Sequence, residues 1–138
     1  MLPLNEKDIW WAITPLRLIA WLAEENASRS GGAETLRRQS VVDAAIRAIN
    51  ADSLERFLQV LGPIPSVNDS GREFRGLARI REWASRETFG VGGHLYVEEV
   101  SGDGPIVVRG RFESKSYAGP TLMTFKLSGE KVARLEIR

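Results

Sequence analysis

Apart from a short extended stretch at residues 66–75, the spacing of the apolar residues changes once along this chain, close to residue 90. Before that point apolar side chains recur every three or four residues, the period of one helix face, and after it they alternate, the period of a strand. A chain with its helices first and a run of strands afterwards predicts an α+β fold with a mainly antiparallel sheet. The helices must then cover one apolar face of that sheet.

The helical part of the pattern divides into three segments. They are predicted at residues 36–50, 52–61 and 77–89. Asp52 and Glu55 have capping-box spacing at the start of the second segment, and Gly62 and Pro63 are expected to end it. Two of the three helices therefore follow each other as a helical hairpin.

The extended part of the pattern begins with two short pieces in residues 66–75, around Ser70 and Gly71. Four longer strands are predicted at residues 94–100, 106–114, 121–127 and 132–138. In the last strand the side chains of Val132, Arg134 and Glu136 alternate with apolar ones. We therefore expect one buried and one wet face on this sheet.

Charge balance and amino-acid content exclude several classes of function. Lys and Arg number 19 against 18 Asp and Glu, so no net field favours nucleic acid or an anionic membrane. The lack of cysteine and the single histidine, His94, exclude disulfides, thiolate chemistry and a Cys/His zinc site. The longest apolar stretch, residues 9–23, is shorter than the ~20 residues of a membrane span. We expect a soluble, cytoplasmic protein with no metal ion or other cofactor, and with neither nucleic acid nor membrane as a partner.

Two stretches resemble a known family. Residues 48–57 (AINADSLERF) look like the helix junction of the nuclear transport factor 2-like superfamily, particularly its SnoaL-like branch, and residues 67–83 (VNDSGREFRGLARIREW) look like its hairpin and third helix. The resemblance covers residues 36–138 and implies three helices on a curved sheet, a cone-like or cystatin-like roll, around an apolar pocket. The superfamily includes ketosteroid isomerases, polyketide cyclases, limonene epoxide hydrolase, scytalone dehydratase and non-catalytic binding modules, so the fold alone does not determine the activity.

Asp69 falls at the position where the ketosteroid isomerase-like members carry their general base. A carboxylate at the mouth of an apolar pocket gains basicity by desolvation and suits proton abstraction beside a carbonyl. The alternative is that Asp69 caps the turn at Ser70 and Gly71 through the backbone amides of that turn. The sequence leaves both possibilities open.

The groups that would complete two reactions of the superfamily are missing. The resemblance places Met123 where the isomerases carry an acid donor, and alanine or isoleucine where they carry a tyrosine, so steroid isomerase activity is not expected. Arg109 and Arg111 lie on a predicted strand, but the last three strands contain no aspartate for the Asp-Arg-Asp set of limonene epoxide hydrolase. By alternation both arginines lie opposite the apolar face, in solvent or at a subunit contact.

His94 and Tyr96 begin the first long strand and point the same way, because they are two residues apart. The resemblance to dehydratase-like members makes them candidates to assist catalysis, as an acid–base group and a hydrogen-bond donor. The alternative for His94 is a surface or capping role. Their face is not fixed, because Leu95 and Val97 compete with Tyr96 for the interior.

Five apolar residues are expected to line the ligand pocket: Phe57, Trp83, Met123, Phe125 and Leu135. Methionine and aromatic side chains accommodate flat apolar ligands, and the alternative for each is a role in the core. The leading hypothesis is a protein that binds a small hydrophobic molecule, as a lyase, isomerase or hydrolase with Asp69 as base. The rival is a non-catalytic ligand-binding or dimerisation module. A homodimer that forms through the wet sheet face is also expected.

Residues 1–34 are predicted to be an extension of a domain that covers residues 35–138. Residues 6–25 have helical spacing, and residues 26–34 form a Ser/Gly-rich link. A broad apolar surface on this segment, which must dock somewhere, includes Trp10, Trp11 and Trp21. Three roles stay open: a lid over the pocket, a clasp between two subunits, or an extension of the core.

Overall fold

The computed structural model describes residues 32–138. In chain order the elements are α1 (Gly32–Asn50), α2 (Leu54–Gln59), β1 (Leu61–Asp69), β2 (Arg72–Arg75), α3 (Leu77–Glu87), β3 (His94–Ser101), β4 (Ile106–Glu113), β5 (Ala118–Ser128) and β6 (Lys131–Ile137). The predicted order of two helices, a short hairpin, a third helix and four strands is confirmed. The predictions for the N-terminal helical segment lie outside the described residues.

All six strands form one sheet in the order β2-β1-β6-β5-β4-β3. Only β1 and β6 run parallel, so the predicted mainly antiparallel sheet is confirmed. The helices cover one face of it. Ile46 of α1 and Ile80 of α3 are buried in one core with Ile106 of β4 and Phe125 of β5.

An extra residue in β3 bends the sheet at its long edge. The register between β3 and β4 shifts between Val97 and Glu99, so that Val97 and Val100 both face the core. Gly110 of β4 lies opposite Val97, where a β-carbon would come 2.2 Å from the carbonyl oxygen of Tyr96. Only glycine permits this close approach of the two strands.

A second register shift, between β5 and β6, makes one prediction wrong. Alternation placed Val132 on the wet face with Arg134, but Val132 is buried in the core. An extra residue in β6 brings Val132 opposite Leu127, whereas Arg134 pairs with Lys126. A shift of one residue reverses the face on which every following side chain lies, which is why simple alternation fails at this point.

Two predicted boundaries at the helices are also wrong. Residues 32–34 belong to α1 rather than to the Ser/Gly-rich link, and Glu34 forms ion pairs with Arg37 and Arg38 in the following turn, at 2.9 and 3.7 Å. Gly62 and Pro63 do not end a helix, because α2 stops at Gln59 and both residues lie in β1. The register between β1 and β6 is irregular in this stretch, which accommodates a residue without an N–H group.

Polar side chains fix the helices to the start of β3. Asn50 at the end of α1 accepts a hydrogen bond from the Leu95 amide at 2.7 Å and donates one to the Leu95 carbonyl at 3.0 Å. The cap of α2 is Ser53 rather than the predicted Asp52, since the Ser53 hydroxyl accepts the Arg56 amide. Asp52 instead accepts the amide of Gly90, after α3, at 2.8 Å.

Candidate functional site

A cavity of about 320 Å³ lies between the bent sheet and the helices. Its walls come from the β1–β2 turn, from α3, from β5 and β6, and from the loop that joins β4 to β5, with Ile49 and Phe57 contributed by α1 and α2. The volume is in the range of small-molecule sites. The cavity therefore has the size for a ligand of a few fused rings.

Four of the five residues predicted to bind a ligand lie in the wall of this cavity. Phe57, Trp83, Met123 and Leu135 form part of the cavity wall. Phe125 is not part of this wall, and its side chain is buried in the core. The apolar part of the cavity wall is therefore formed by side chains that also belong to the hydrophobic core.

Asp69 lies in the cavity wall at the end of β1. Its Oδ2 accepts hydrogen bonds from the Trp83 indole Nε1 at 3.0 Å and from Arg72 Nη2 at 2.6 Å. The turn is capped by the neighbouring residue instead: Asn68 Oδ1 accepts the Gly71 amide at 3.0 Å. The only further contact of the Asp69 carboxylate among the described residues is from the Ser70 hydroxyl to Oδ1, at 3.5 Å. The Asp69 carboxylate is thus bound by Trp83 and Arg72 and accepts no backbone amide of the β1–β2 turn.

Arg72 links Asp69 to the end of α3. Its two terminal nitrogens bind the Glu87 carboxylate at 2.7 and 2.9 Å, and its guanidinium lies 5.7 Å from the centre of the Phe74 ring. The hydrogen bonds from Arg72 hold the pKa of Glu87 below its ordinary value, and those to Glu87 and Asp69 raise the pKa of Arg72. Arg72 and Glu87 are therefore both ionised near neutral pH.

His94 and Tyr96 are placed away from the cavity. Leu95 and Val97 are buried in the core, so the alternate residues His94 and Tyr96 lie on the opposite face of β3. There the rings of His94 and Tyr96 are 4.5 Å apart, and Glu113 is the register partner of His94. The structure does not bring these two side chains together with Asp69.

Several polar residues of the cavity were not predicted as site residues. Thr121 is 7% exposed and lies on the inner face of β5, two residues before Met123. Arg86 and Arg138 also line the cavity, as do Thr88 and Ser116. Strand alternation was a signal for Thr121, whereas the others come from the ends of elements, where periodicity carries no information.

The described residues also limit what the site could hold. Within residues 32–138 no group of three or more acidic or histidine side chains is placed to hold a metal ion. No helix in that part of the chain is long and apolar enough to cross a membrane. The polar groups that line the cavity are carboxylates, guanidinium groups and hydroxyls.

The fold and the site together define a class: an α+β domain with a bent sheet and a cavity of ligand size. No family model matches the sequence, and no curated protein matches it. A protein assigned as a polyketide cyclase from Sinorhizobium meliloti is similar in structure, with a TM-score of 0.66 and 20% identity over 72% of this chain and 94% of that chain. An NTF2-like protein of unknown function from Cytophaga hutchinsonii has a TM-score of 0.63 and 12% identity, over 73% and 88%.

A third similar structure is TerC co-crystallised with polyporic acid, with a TM-score of 0.65 and 17% identity over 74% of this chain and 90% of that one. This chain has the nuclear transport factor 2-like fold, as the resemblance of its sequence predicted. At such low identity the similarity establishes the fold and leaves the activity open. The predicted homodimer and cytoplasmic location stay predictions.

Proposed function

We propose that the protein binds a small hydrophobic molecule in this cavity. The observation that carries the proposal is the composition of the cavity wall, in which Phe57, Met123 and Leu135 occur together with the salt bridge between Asp69 and Arg72. An apolar interior supplies affinity by burial, and a few fixed polar groups orient the ligand. A flat, ring-containing molecule with one or more oxygen substituents matches this combination of apolar and polar wall residues.

The similar structures support a ligand of this type. TerC was crystallised with polyporic acid, and another protein of similar structure is a designed binder of 17-OHP, with a TM-score of 0.65 and 11% identity over 74% of this chain and 89% of that one. Proteins with this fold thus include ones that bind ring-containing molecules. Aromatic polyketides, steroids and terpenoids are the compound classes to test first.

The test compares two substitutions on the same strand. Thr121 and Thr124 both lie on β5, but Thr121 lines the cavity and Thr124 lies on the other face. Thr121→Phe fills the cavity and is expected to weaken binding of the apolar dye N-phenylnaphthylamine by about tenfold or more, whereas Thr124→Phe leaves binding unchanged. Fluorescence titration measures the Kd, and circular dichroism checks that both variants are folded.

Equal binding by both folded variants, or no binding by the wild type, contradicts the proposal. A thermal-shift screen over the three compound classes then identifies the chemical class of the natural ligand, because a ligand that binds only the folded state raises Tm. The same screen on Thr121→Phe separates binding in the cavity from binding at the surface.

A second candidate function is proton abstraction by Asp69. The observation in its favour is that Arg72 and Trp83 both bind Oδ2, which leaves Oδ1 with only the long contact from Ser70. A carboxylate oxygen at an apolar cavity suits the role of general base. His94 and Tyr96, the predicted assistants, lie on the other face, so any second catalytic group must come from the cavity itself.

The ring opening of 5-nitrobenzisoxazole tests this candidate, because a base removes its ring C–H proton while the N–O bond breaks. We expect turnover by the wild type and its loss in Asp69→Asn, with dye binding retained. Glu113→Gln is the matched control on the outer face. Equal rates in all three proteins would remove Asp69 as a base and leave the binding function in place.

A further inference from the structure

The charged residues of the cavity are not balanced within the wall. Asp69 and Glu87 are its carboxylates, and Arg72, Arg86 and Arg138 are its arginines. Arg72 forms salt bridges with both carboxylates, since it binds Asp69 at 2.6 Å and Glu87 at 2.7 and 2.9 Å. Among residues 32–138, two guanidinium groups at the cavity are therefore left without a close carboxylate partner.

Arg86 lies in the last turn of α3. Its nearest ion-pair contact is to Glu82, one turn earlier, at 4.0 Å, and 60% of the Arg86 side chain is exposed. Its charge also helps to keep the pKa of the adjacent Glu87 low, after the larger effect of Arg72. The Arg86 guanidinium is thus close to the site but makes no tight hydrogen bond in residues 32–138.

Arg138 follows β6 at the same cavity. Its backbone is fixed, because its amide donates to the Leu122 carbonyl at 2.9 Å and its carbonyl accepts the Leu122 amide at 3.1 Å. The side chain forms no salt bridge with any residue of the described range. A held backbone with an uncommitted guanidinium is an arrangement that suits an external anion.

We infer that the ligand carries an acidic group, a carboxylate, sulfonate or ionised hydroxyl, which binds in the cavity beside Arg86 and Arg138. This inference rests on the proposed binding function and adds the chemical class of the ligand. The ring system occupies the apolar interior, and the hydroxyls of Thr88 and Ser116 supply further donors to the anion. A ligand without the charge binds by the same apolar contacts alone.

Two dyes with the same ring system isolate the charge. Anilinonaphthalene sulfonate is N-phenylnaphthylamine with one added sulfonate group. Each exposed ion pair contributes at most about fivefold in affinity, so we expect the anionic dye to bind about tenfold more tightly than the neutral dye at low salt. The preference should shrink as salt is added, because exposed charges are screened over about 10 Å at 0.1 M.

The variant that tests the inference is Arg86→Gln combined with Arg138→Gln, and it should abolish the preference for the anionic dye while the Kd of the neutral dye stays within about twofold. Arg79→Gln is the matched control, since Arg79 lies on α3 and does not line the cavity. No preference in the wild type, or an equal loss in Arg79→Gln, would overturn the inference.

The neutral dye keeps the two proposals distinguishable. If it binds and is excluded by Thr121→Phe, the binding function stands, and the preference for the anionic dye, together with its loss in the double arginine variant, decides whether the ligand is acidic. If the neutral dye binds Thr121→Phe as well as it binds the wild type, the cavity is not the site and both proposals fail. Thermal melting of each variant confirms that it is folded before titration.

Discussion

Replacing Trp83 by phenylalanine removes one hydrogen bond from the Asp69 carboxylate and keeps an aromatic ring in the cavity wall. The indole Nε1 lies 3.0 Å from Oδ2, and the Asp69 side chain is only 17% exposed. A hydrogen bond to a charged group contributes about 1.5–3 kcal/mol to stability. Some packing against Phe74, whose ring centre is 5.9 Å from that of Trp83, is lost in addition.

A double-mutant cycle separates the hydrogen bond from the packing. Urea unfolding of Trp83→Phe, Asp69→Ala and the double variant should give a coupling free energy of about 1.5–3 kcal/mol. Asn68→Ala is the matched control, because the Asn68 side chain caps the turn beside Asp69 and makes no hydrogen bond to Trp83. Its coupling to Trp83→Phe should stay below about 0.5 kcal/mol.

A coupling for Asp69 as small as that for Asn68 would refute this reasoning. It would mean that the Asp69 carboxylate accepts hydrogen bonds from the amides of its own turn instead of from Trp83, which is the alternative that the sequence left open. The candidate base would then lose its place in the cavity.

Three further predictions concern the scaffold of the site. Gly110→Ala should destabilise the protein by about 2 kcal/mol or more in urea unfolding, since the new methyl group would lie 2.2 Å from a carbonyl oxygen of β3, whereas Gly104→Ala, with open space around it, should be nearly neutral. Asn50→Ala removes both hydrogen bonds to Leu95 and should lower stability by about 2–4 kcal/mol, measured the same way. The hydrogen bonds from Arg134 and Asn68 lower the pKa of Glu73 to about 2 from 4.5. The contribution of Glu73 to the free energy of unfolding is therefore present above pH 4.5 and is lost as the pH falls toward 2. In Glu73→Gln, urea unfolding at a series of pH values should show a smaller loss of stability over this range.

Much of the fold follows from local patterns in the sequence. The change from helical to alternating spacing predicts the order of helices and strands, since each period is set by the geometry of a few neighbouring residues. What it does not predict is the pair of inserted residues in β3 and β6. Val132 is buried only because of the second of these, and the parallel pairing of β1 with β6 joins residues about 70 positions apart.

The site was predictable only in part for the same reason. Asp69 and the apolar wall residues could be named, because a motif and a strand face identify them. The hydrogen-bond partners of Asp69 could not be predicted. Trp83 binds it from α3, and Asn68 caps the turn that Asp69 was also a candidate to cap. His94 and Tyr96 point away because Leu95 and Val97 take the inner face of β3, a choice that depends on packing across the whole sheet.

The most direct test of the binding function uses the two methionines of the chain. With ¹³C-methyl-labelled methionine the protein gives signals from Met1 and Met123, and Met123 lines the cavity. Substitution of Met123 by leucine assigns its signal. On addition of N-phenylnaphthylamine the rings of the bound dye should shift the Met123 methyl resonance, and the shift should saturate at the Kd measured by fluorescence. A dye that binds while the Met123 resonance stays where it was would contradict the account, because the ligand would then lie outside the cavity.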